Sequence, residues 1–587
     1  MPVNRDFHGP GGGREAKFVL GPKNRKDEKM SETRLRIVIV GGVAGGASAA
    51  TRARRCNEHA EIILLEKDEY VSFANCGMPY HIGGEITERS RLLVATAQML
   101  RKRFRLDVRE RTEAIRIDRA AKIVRVRSHA GEKEYDIPYD RLILSPGAAP
   151  IVPRVEGVDA SGVYSLRSIA DMDRICLAVG ATAGPSRRAI VIGAGYIGLE
   201  MVEQLVKREF RVSLVELQTQ VLPQMDPEMV TTLTQQLKQA KVDVYCGSGL
   251  KRILTQNGNT TGVELDNGQQ LEGSLVILGM GVRPNTKLAQ DAGLTMGKTG
   301  GIATNAFQQT SDPEIYAVGD AVEYVFRPTG QSMRIALAGP ANRAGRLAGE
   351  HAALGHSSAM APVLGTAIVR VFEQTAAMTG MTVKSARFAG IVCRSVTVIA
   401  GQHAGYYPNA QPLTLKLVYC PTSGRVLGAQ AVGQDGSDKR IDVIATAMAF
   451  GATVRDLAGL DLAYAPPFGS AKDPIHQAAF TAINEMDGFG EMLDADADLS
   501  GWQVVDVRTS KEISATPLTG CASVIAIPVD ELRDRLGELN PEQPTVVSCG
   551  VGIRGHVAQR ILRQSGFRRV VNLTGGATLR RRIFPEN

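Results

Sequence analysis

The sequence predicts an α/β chain in which two β–α–β domains, one inserted in the other, precede an α+β domain and a small C-terminal α/β domain. The order strand, glycine-rich loop, helix and strand ending in an acidic residue occurs twice, within 35–66 and within 189–216. Residues 355–480 are rich in strand-like segments without such a loop, and 501–587 follow an acidic stretch. The repeated unit is typical of Rossmann-like, dinucleotide-binding domains, and at roughly 150 residues a domain the chain has room for about four.

Composition and charge exclude several classes of function. Hydrophobic residues make up 44% and charged residues 22% of the 587 residues, which is typical of a globular chain. No stretch approaches the ~20 apolar residues of a membrane span. The net charge of +8 is partly local, since 1–36 hold nine Lys/Arg against five Asp/Glu and three arginines lie at 580–582. We therefore expect neither a nucleic acid nor a membrane as partner.

The eight cysteines are too sparse for a disulfide framework, and none forms a C-x-x-C pair. We expect no metal site and a reducing, cytoplasmic location. Residues 1–34 are rich in glycine and charge and lack the apolar segment of a secretory signal. They are predicted to form a disordered N-terminal extension.

The first glycine-rich loop, Gly41-Gly42-Val43-Ala44-Gly45-Gly46, follows a strand and opens a helix. Glycines there let the backbone approach a pyrophosphate at the helix N-terminus, and an acid about 25 residues later accepts a ribose hydroxyl. Val43 breaks the strict G-x-G-x-x-G pattern, so this motif alone also fits a tight structural turn. The candidate residues are Gly41, Gly42, Ala44, Gly45 and Glu66.

The second loop has the strict pattern, with Gly193, Gly195 and Gly198 between a strand and a helix. Glu216 ends the next strand, where a carboxylate accepts hydrogen bonds from the ribose 2′-OH and repels a 2′-phosphate. The segment therefore predicts a site for NADH rather than NADPH.

Cys76 lies in Ser72-Phe-Ala-Asn75-Cys76-Gly-Met-Pro-Tyr80, and His81, five residues on, stands where a second cysteine would be. The segment resembles the single-cysteine branch of the flavoprotein disulfide reductases, the branch of coenzyme A disulfide reductase, NADH oxidase and NADH peroxidase. The resemblance covers roughly 35–480. It implies that the Cys76 thiolate attacks a disulfide or persulfide and that reduced flavin returns electrons to the mixed disulfide.

Two further segments resemble the parts of this family that hold FAD. Thr310–Asp320 resembles the segment at the ribityl chain, and Ser145-Pro-Gly147-Ala resembles the hinge that leaves the FAD domain. The resemblance implies FAD contacts from Ser145, Gly147 and Asp320. It also implies an FAD-binding domain at 35–150 and 280–350, an NADH-binding domain at 151–279 and a dimerisation domain at 351–485, hence a homodimer.

The resemblance also favours one group within the branch. Oxidases and peroxidases carry a histidine in the first loop where this chain has Ala44, and the loop is similar to that of the coenzyme A disulfide reductases. Tyr406 and Tyr464 resemble a pair that reaches the active site from the other subunit, where a phenol protonates a leaving thiolate.

Coenzyme A needs cations for its phosphates. Arg52 and Arg55 lie three residues apart, on one helix face, at positions that hold coenzyme A in this family, as do Ser72 and Asn75. The alternative is a solvated basic helix face that includes Arg54.

The C-terminal region begins with a strand ending in Asp506-Val-Arg508, and Cys549-Gly-Val-Gly-Ile-Arg554-Gly555 follows about 40 residues later. This resembles the active loop of a single-domain rhodanese, which implies a Cys549 persulfide cradled by backbone N–H groups at a helix N-terminus, with Arg554 bracing the loop or the sulfur anion. We expect an acidic linker at 486–500 and a rhodanese-like domain at 501–587. The other six cysteines are interpreted as structural.

The combined hypothesis is an FAD-dependent NADH oxidoreductase that reduces a persulfide, a polysulfide or coenzyme A persulfide through Cys76, with sulfane sulfur handled by Cys549. One alternative is a coenzyme A disulfide reductase with an accessory rhodanese. A second is a sulfurtransferase or sulfur-relay protein. An NADH oxidase is disfavoured by Ala44.

Overall fold

The computed structural model describes residues 34–129, 131, 133–184 and 187–585. The expected disordered extension therefore lies outside the described residues, apart from Arg34. From Leu35 onwards the chain forms one compact unit.

The first segment, residues 35–150, opens with the predicted strand, loop and helix. Its strands are β1 (Arg36–Val40), β2 (Glu61–Leu65), β3 (Asp107–Arg109), β4 (Thr112–Asp118), β5 (Ile123–Ser128), β6 (Lys133–Pro138), β7 (Arg141–Leu144) and β8 (Ala148–Pro150), and its helices are α1 (Ala44–Cys56), α2 (Met78–Ile82) and α3 (Ala97–Phe104).

The next segment repeats the unit. Its elements are β9 (Val163–Tyr164), α4 (Ile169–Ala181), β10 (Arg188–Ile192), α5 (Tyr196–Lys207), β11 (Arg211–Glu216), α6 (Thr231–Gln239), β12 (Asp243–Cys246), β13 (Leu250–Gln256), β14 (Asn259–Leu265), β15 (Gln270–Glu272) and β16 (Leu275–Leu278).

The chain then returns to the first domain and continues into the third. The returning elements are β17 (Val282–Pro284), α7 (Lys287–Asp291), β18 (Ile315–Ala317), β19 (Glu323–Val325), β20 (Ser332–Arg334) and α8 (Ala338–Leu354). The third domain contains β21 (Ala367–Val371), β22 (Gln374–Gly380), α9 (Val383–Phe388), β23 (Arg394–Gly401), β24 (Pro412–Tyr419), β25 (Val426–Gly433), α10 (Ser437–Ala449), α11 (Val454–Ala458) and α12 (Pro474–Met486).

The C-terminal domain is a small α/β unit. Its elements are β26 (Glu491–Leu493), β27 (Gln503–Asp506), α13 (Ser510–Ala515), β28 (Ile525–Ala526), β29 (Thr545–Ser548), α14 (Ile553–Gln564), β30 (Val570–Leu573) and α15 (Gly576–Ile583).

Sheet order shows that the second β–α–β domain is inserted in the first. One parallel sheet has the order β18-β7-β1-β2-β3 and the other β12-β11-β10-β16-β9. β18 comes after the inserted segment and pairs with β7, which precedes it. The central strands β1 and β10 are apolar runs with four buried residues each, as expected where helices cover both faces of a parallel sheet.

The helices α1 and α8 touch backbone to backbone. A Cβ atom on Gly345 would lie 2.2 Å from the Gly45 carbonyl oxygen, and one on Gly349 would lie 2.3 Å from that of Ala49. This close packing brings the N-terminal end of α8 beside the first glycine loop.

The segment 486–500 differs from the expected linker. It contains β26, which pairs in parallel with β30 at the edge of the C-terminal sheet β26-β30-β29-β27-β28. The acidic residues of this segment suggested a loop in the sequence, but the central residue of the strand, Met492, is buried. The C-terminal domain therefore begins before residue 501, and its last helix also contacts the third domain, where Arg582 donates to Thr414 Oγ1 at 3.1 Å.

Candidate active site

A single cleft of about 1790 Å³ joins most of the residues that the sequence singled out. It runs from the first glycine loop and Glu66, past Cys76 and Asp320, to the second glycine loop and Glu216. The two dinucleotide sites and the candidate redox cysteine thus share one continuous space.

The first loop is held in a shape that only glycine allows. Gly41 has φ +93°, and a Cβ on Gly46 would lie 1.7 Å from the Gly41 carbonyl oxygen. The Glu66 carboxylate accepts the Gly42 N–H at 2.8 Å, and burial raises the pKa of this carboxyl group. The first turn of α1 carries no acidic residue, so its N-terminus is suited to a phosphate.

The second loop repeats this geometry. A Cβ on Gly198 would lie 1.9 Å from the Gly193 carbonyl oxygen, whereas one on Gly195 would meet no atom nearer than 3.8 Å. The middle glycine therefore leaves the open space that a pyrophosphate needs. Each of these close contacts is with the first glycine of its loop, so Gly46, and not Gly45, is the counterpart of Gly198. Gly46 was not among the residues predicted from the sequence, although it is the sixth residue of the first loop.

Glu216 is the last residue of β11, and its carboxylate lies beside the second glycine loop. Its Oε2 accepts the Ala194 N–H at 2.7 Å and its Oε1 accepts the Gln218 N–H at 2.9 Å. One lone pair on each oxygen remains for a ribose hydroxyl, and the next residue, Leu217, brings no cation for a 2′-phosphate. The arrangement fits NADH.

The part of the cleft between the two loops is lined by Ser145, Gly147, Arg167 and Asp320. Arg167 Nη2 donates to Asp320 Oδ2 at 3.0 Å, so the aspartate is fixed in position. The residues Ala338–Asn342 at the start of α8 also line this region, and the first turn of α8 carries no acidic residue. These donor groups and glycine surfaces would suit the phosphates and ribityl chain of an FAD.

Cys76 lies in a short 3₁₀ turn, Asn75–Gly77, that leads into α2, and its side chain is exposed to the cleft. The Asn75 side chain donates to the Arg167 carbonyl at 3.4 Å. The surrounding cleft walls desolvate the sulfur and raise the pKa of the Cys76 thiol, the carboxylates of Glu200 and Asp320 raise it further, and Arg167 opposes them. The thiol form is therefore favoured until another group takes its proton.

Glu200 lines this cleft and Tyr80 contacts Glu200, although neither residue was assigned a role from the sequence. The Tyr80 hydroxyl donates to Glu200 Oε1 at 3.2 Å, and burial raises the pKa of Glu200 to about 7. Tyr80 stands four residues after Cys76, and Glu200 stands two residues after Gly198. Only the fold shows that these motifs meet.

The arginines of α1 lie outside this cleft. Arg52 donates from Nε and Nη2 to Glu350 Oε2 of α8, at 2.9 and 2.5 Å. The Arg55 guanidinium lies 5.1 Å from the centre of the Phe104 ring and is exposed. Arg54 is buried and donates to backbone carbonyls, including that of Ala60 at 2.8 Å, so it belongs to no solvated basic face. Ser72 adopts a left-handed conformation, with φ +47°.

Tyr406 and Tyr464 come together on the third domain. Their hydroxyl oxygens lie 2.7 Å apart, and hydrogen bonding to Tyr464 raises the pKa of Tyr406. Both side chains are exposed, and neither lines the Cys76 cleft of its own chain.

The C-terminal domain holds a second sulfur site. Cys549 follows β29 and is 1% exposed, and its Sγ accepts the Gly552 N–H at 3.1 Å. Arg554 donates to both carboxylate oxygens of Glu512, at 2.9 and 2.6 Å. Arg554 therefore ties the loop to α13, while the backbone of the loop faces the sulfur.

Comparison with known proteins agrees with this division of the chain. The pyridine nucleotide-disulphide oxidoreductase model matches residues 35–345, its dimerisation domain matches 366–474, and a rhodanese-like domain matches 489–579. Over 447 residues the chain is 33% identical to a coenzyme A disulfide reductase of Staphylococcus aureus (strain JH9), an alignment that covers 76% of this chain and 99% of that protein.

Two solved structures match nearly the whole chain. Reduced Bacillus anthracis CoADR-RHD is 42% identical with a TM-score of 0.90, covering 94% of this chain and 98% of that one. A NAD-dependent persulfide reductase from A. fulgidus is 36% identical with a TM-score of 0.87, covering 93% of this chain and 100% of that one. Since the oxidoreductase model spans more than half of the chain and contains both glycine loops and Cys76, the protein belongs to the pyridine nucleotide-disulphide oxidoreductases, a family that uses FAD and NAD(H), and it carries a rhodanese-like domain in addition.

Proposed function

We propose that the protein is an FAD-dependent, NADH-oxidising reductase of sulfane sulfur, with a persulfide, a polysulfide or coenzyme A persulfide as substrate. The observation that carries the proposal is the single cleft in which Cys76 lies between the two glycine loops. Electrons from a nicotinamide held at one loop have a continuous route to a sulfur held at Cys76.

The residues have distinct roles in this reaction. The two glycine loops bind the pyrophosphates, Glu216 selects the ribose of NADH, and Asp320 with Arg167 fixes the FAD. When bound, FAD supplies the two-electron link between NADH and sulfur. The Cys76 thiolate attacks one sulfur of the S–S bond and joins it in a mixed disulfide or a Cys76 persulfide, while the other sulfur leaves as a thiolate or as hydrosulfide.

The C-terminal domain favours a persulfide over a plain disulfide. Its loop keeps the cysteine, the Gly552 N–H contact to Sγ and the Arg554–Glu512 brace, all of which suit a persulfide anion. The match to the A. fulgidus persulfide reductase covers 93% of this chain, so it extends into this domain.

The two tyrosines support a homodimer. Their hydroxyl groups are paired and exposed, away from the cleft of their own chain. A second copy of the chain would bring them to the partner's Cys76, in keeping with the match to a dimerisation domain.

No helix among the described residues is long and apolar enough to cross a bilayer.

Coenzyme A would bind along α1, with Arg55 as the exposed cation. Arg52 would contribute only after exchanging Glu350 for a phosphate, because it is already paired. Asn75 and Ser72 would then lie beside the pantetheine thiol near Cys76.

A coenzyme A disulfide reductase with an accessory rhodanese is the second candidate. The S. aureus relatives favour it, since they match 76% of this chain and so leave about the length of the C-terminal domain without a counterpart. Their activity therefore does not need that domain.

Anaerobic NADH oxidation separates the two. Purified holoenzyme is given coenzyme A persulfide, inorganic polysulfide or coenzyme A disulfide, with sulfide release measured in parallel. The proposal expects kcat/KM for a sulfane sulfur substrate at least about tenfold above that for the disulfide, and loss of both activities in Cys76→Ser. A preference for the disulfide that survives Cys549→Ser would establish the second candidate instead.

A further inference from the structure

Glu200 lies between two cavities. It lines the cleft that contains Cys76, and it also lines a second cavity of about 330 Å³. Ile368, which is half-exposed, lines both cavities, and Tyr80 lines the second. Exposed residues such as Asp435 and Asp438 form the outer wall of this second cavity, so water reaches it.

The nearby cations pair with other carboxylates, so the hydrogen-bond partner of the Glu200 carboxyl group is the neutral Tyr80 hydroxyl. Arg370 of β21 pairs with Glu203 at 2.7 Å and with Glu85 at 2.5 Å, and Lys207 pairs with the same two carboxylates.

Tyr80 of α2 donates to Glu200 at 3.2 Å, and its ring lies 5.2 Å from the Arg370 guanidinium. Burial and the nearby Glu203 raise the pKa of Glu200 to about 7, against the opposing effects of Tyr80 and Arg370. Glu200 can therefore both hold and release a proton near neutral pH.

The chemistry at Cys76 needs a proton from outside. Reductive cleavage of one S–S bond consumes NADH and one proton. A disulfide then gives NAD⁺ and two thiols, and a persulfide gives NAD⁺, one thiol and H₂S. The first thiolate leaves when Cys76 attacks, and the second leaves when two electrons break the mixed disulfide. The lining of the second cavity includes no residue of either glycine loop, so this cavity offers Glu200 a route to water outside the two dinucleotide sites.

We propose that Glu200 delivers the solvent proton to the thiolate released when the mixed disulfide at Cys76 is reduced, and is reprotonated from water in the second cavity, with Tyr80 as the positioning residue that holds its carboxyl group. This rests on the proposed function. The partner subunit's tyrosines would protonate the first thiolate and regain the proton that the hydride of NADH leaves when its two electrons pass to sulfur. The two proton donors thus serve different steps, and each cycle takes one proton from solvent.

The test compares Glu200→Gln and Tyr80→Phe with Glu209→Gln, which changes an exposed carboxylate that lines neither cavity. Reduction of the flavin by NADH and its reoxidation by the sulfur substrate are followed separately by anaerobic stopped-flow between about pH 6 and 9. In Glu200→Gln we expect flavin reduction within about threefold of wild type, and reoxidation slower by about a hundredfold and without its pH dependence near neutrality.

Tyr80→Phe has a different expected signature. The Tyr80 hydrogen bond lowers the pKa of Glu200, so its removal should move the pH dependence of reoxidation to higher pH. A merely structural role would change the rate without this shift. Glu209→Gln should match wild type in both half-reactions. Retention of the wild-type pH dependence in Glu200→Gln, with reoxidation within about threefold, would overturn the proposal.

A second measurement does not depend on the substrate. The Glu200 carboxylate raises the pKa of the Cys76 thiol, so Glu200→Gln should speed alkylation of Cys76 by iodoacetamide at pH 7 severalfold. An unchanged rate of alkylation would show that Glu200 does not act on Cys76 and would also contradict the proposal. If wild type is reoxidised by none of the three sulfur substrates, the proposed function fails while this alkylation result still decides the role of Glu200.

Discussion

The hydroxyl oxygens of Tyr406 and Tyr464 lie 2.7 Å apart, although the residues are 58 positions apart in the chain. The buried Arg440 holds their two loops together, because its Nη2 donates to the Gln402 carbonyl and to Asp473 Oδ2, both at 2.7 Å. The pair is therefore a fixed feature of the exposed face of the third domain.

Replacing Tyr464 by Phe should slow turnover with the sulfur substrate by about a hundredfold, because the first leaving thiolate loses its proton donor. Flavin reduction by NADH should not change. Steady-state kcat and stopped-flow flavin reduction measure the two effects. Tyr407→Phe is the matched control, as Tyr407 is exposed in the same loop and lies against His403 rather than Tyr464.

Mixed dimers show whether the tyrosines act across a subunit boundary. Cys76→Ser and Tyr464→Phe chains, each expected to have about a hundredth of wild-type activity or less alone, are co-expressed with different tags and the heterodimer is purified. We expect about half of the wild-type activity, because one site then combines an intact Cys76 with an intact partner tyrosine. An inactive heterodimer would place the tyrosines in the cleft of their own chain.

Glu216→Gln should relax the choice of nicotinamide. Removing the charge weakens the ribose contact and the repulsion of a 2′-phosphate, so the ratio of kcat/KM for NADH over NADPH should fall by about tenfold or more. Glu264→Gln, on the antiparallel sheet of the same domain and away from the cleft, should leave the ratio unchanged. An unaltered ratio in Glu216→Gln would contradict the assignment of this carboxylate.

Gly46→Ala should reduce FAD binding and stability together. The added Cβ would lie 1.7 Å from the Gly41 carbonyl oxygen, so the loop must shift, at a cost of about 2 kcal/mol or more. Flavin absorbance of the purified protein and its thermal unfolding report the loss. Gly180→Ala, at a helical position with no atom within 4 Å of the new Cβ, should keep its flavin and unfold at the same or a slightly higher temperature.

The Arg554–Glu512 contact predicts how the C-terminal domain responds to acid. Hydrogen bonds from Arg554 and Thr509 hold the pKa of Glu512 well below its usual value. A carboxyl group with a lowered folded-state pKa stabilises the fold fully above its unfolded pKa of about 4.3, and this contribution is lost as the pH falls toward the folded value.

Trp502 is the single tryptophan of the chain and lies in this domain, so its fluorescence reports unfolding of the domain alone. Between about pH 5 and 3, we expect urea midpoints to fall more steeply in wild type than in Glu512→Gln. Glu531→Gln, which removes another arginine-paired carboxylate of the same domain, serves as the control. Equal slopes for wild type and Glu512→Gln would show that the contact does not contribute.

Local patterns were enough to predict the elements that hold the cofactors. A strand, its glycine loop and the acid ending the next strand lie within about 30 residues, and their chemistry is set by that short segment. Glu66 and Glu216 each accept a backbone N–H of the preceding glycine loop, which places them beside the loops, and their contact with a ribose stays a prediction. The domain inserted between β7 and β18 was also predicted, since the motifs returned in order.

Contacts between distant segments could not be predicted in the same way. Arg52 is paired with Glu350, 298 positions away, and no pattern around α1 indicates that partner. Glu200 and Tyr80 are 120 positions apart and meet only because α5 packs near α2. The strand β26 was missed because its pairing with β30 stabilises it, while its own acidic composition suggests a loop.

Because the chain returns to its first sheet after the inserted domain, the two dinucleotide-binding domains are completed in a fixed order during synthesis. Gly345 and β18 complete the FAD-binding domain, yet a ribosome makes them only after the entire inserted domain has emerged. Domains fold as units during synthesis, so the NADH-binding domain can close while the FAD-binding domain still lacks an edge strand and a helix. The nascent chain is thus able to shape its nicotinamide site before its flavin site exists, and FAD can be captured only by a chain in which more than half of the residues have been made.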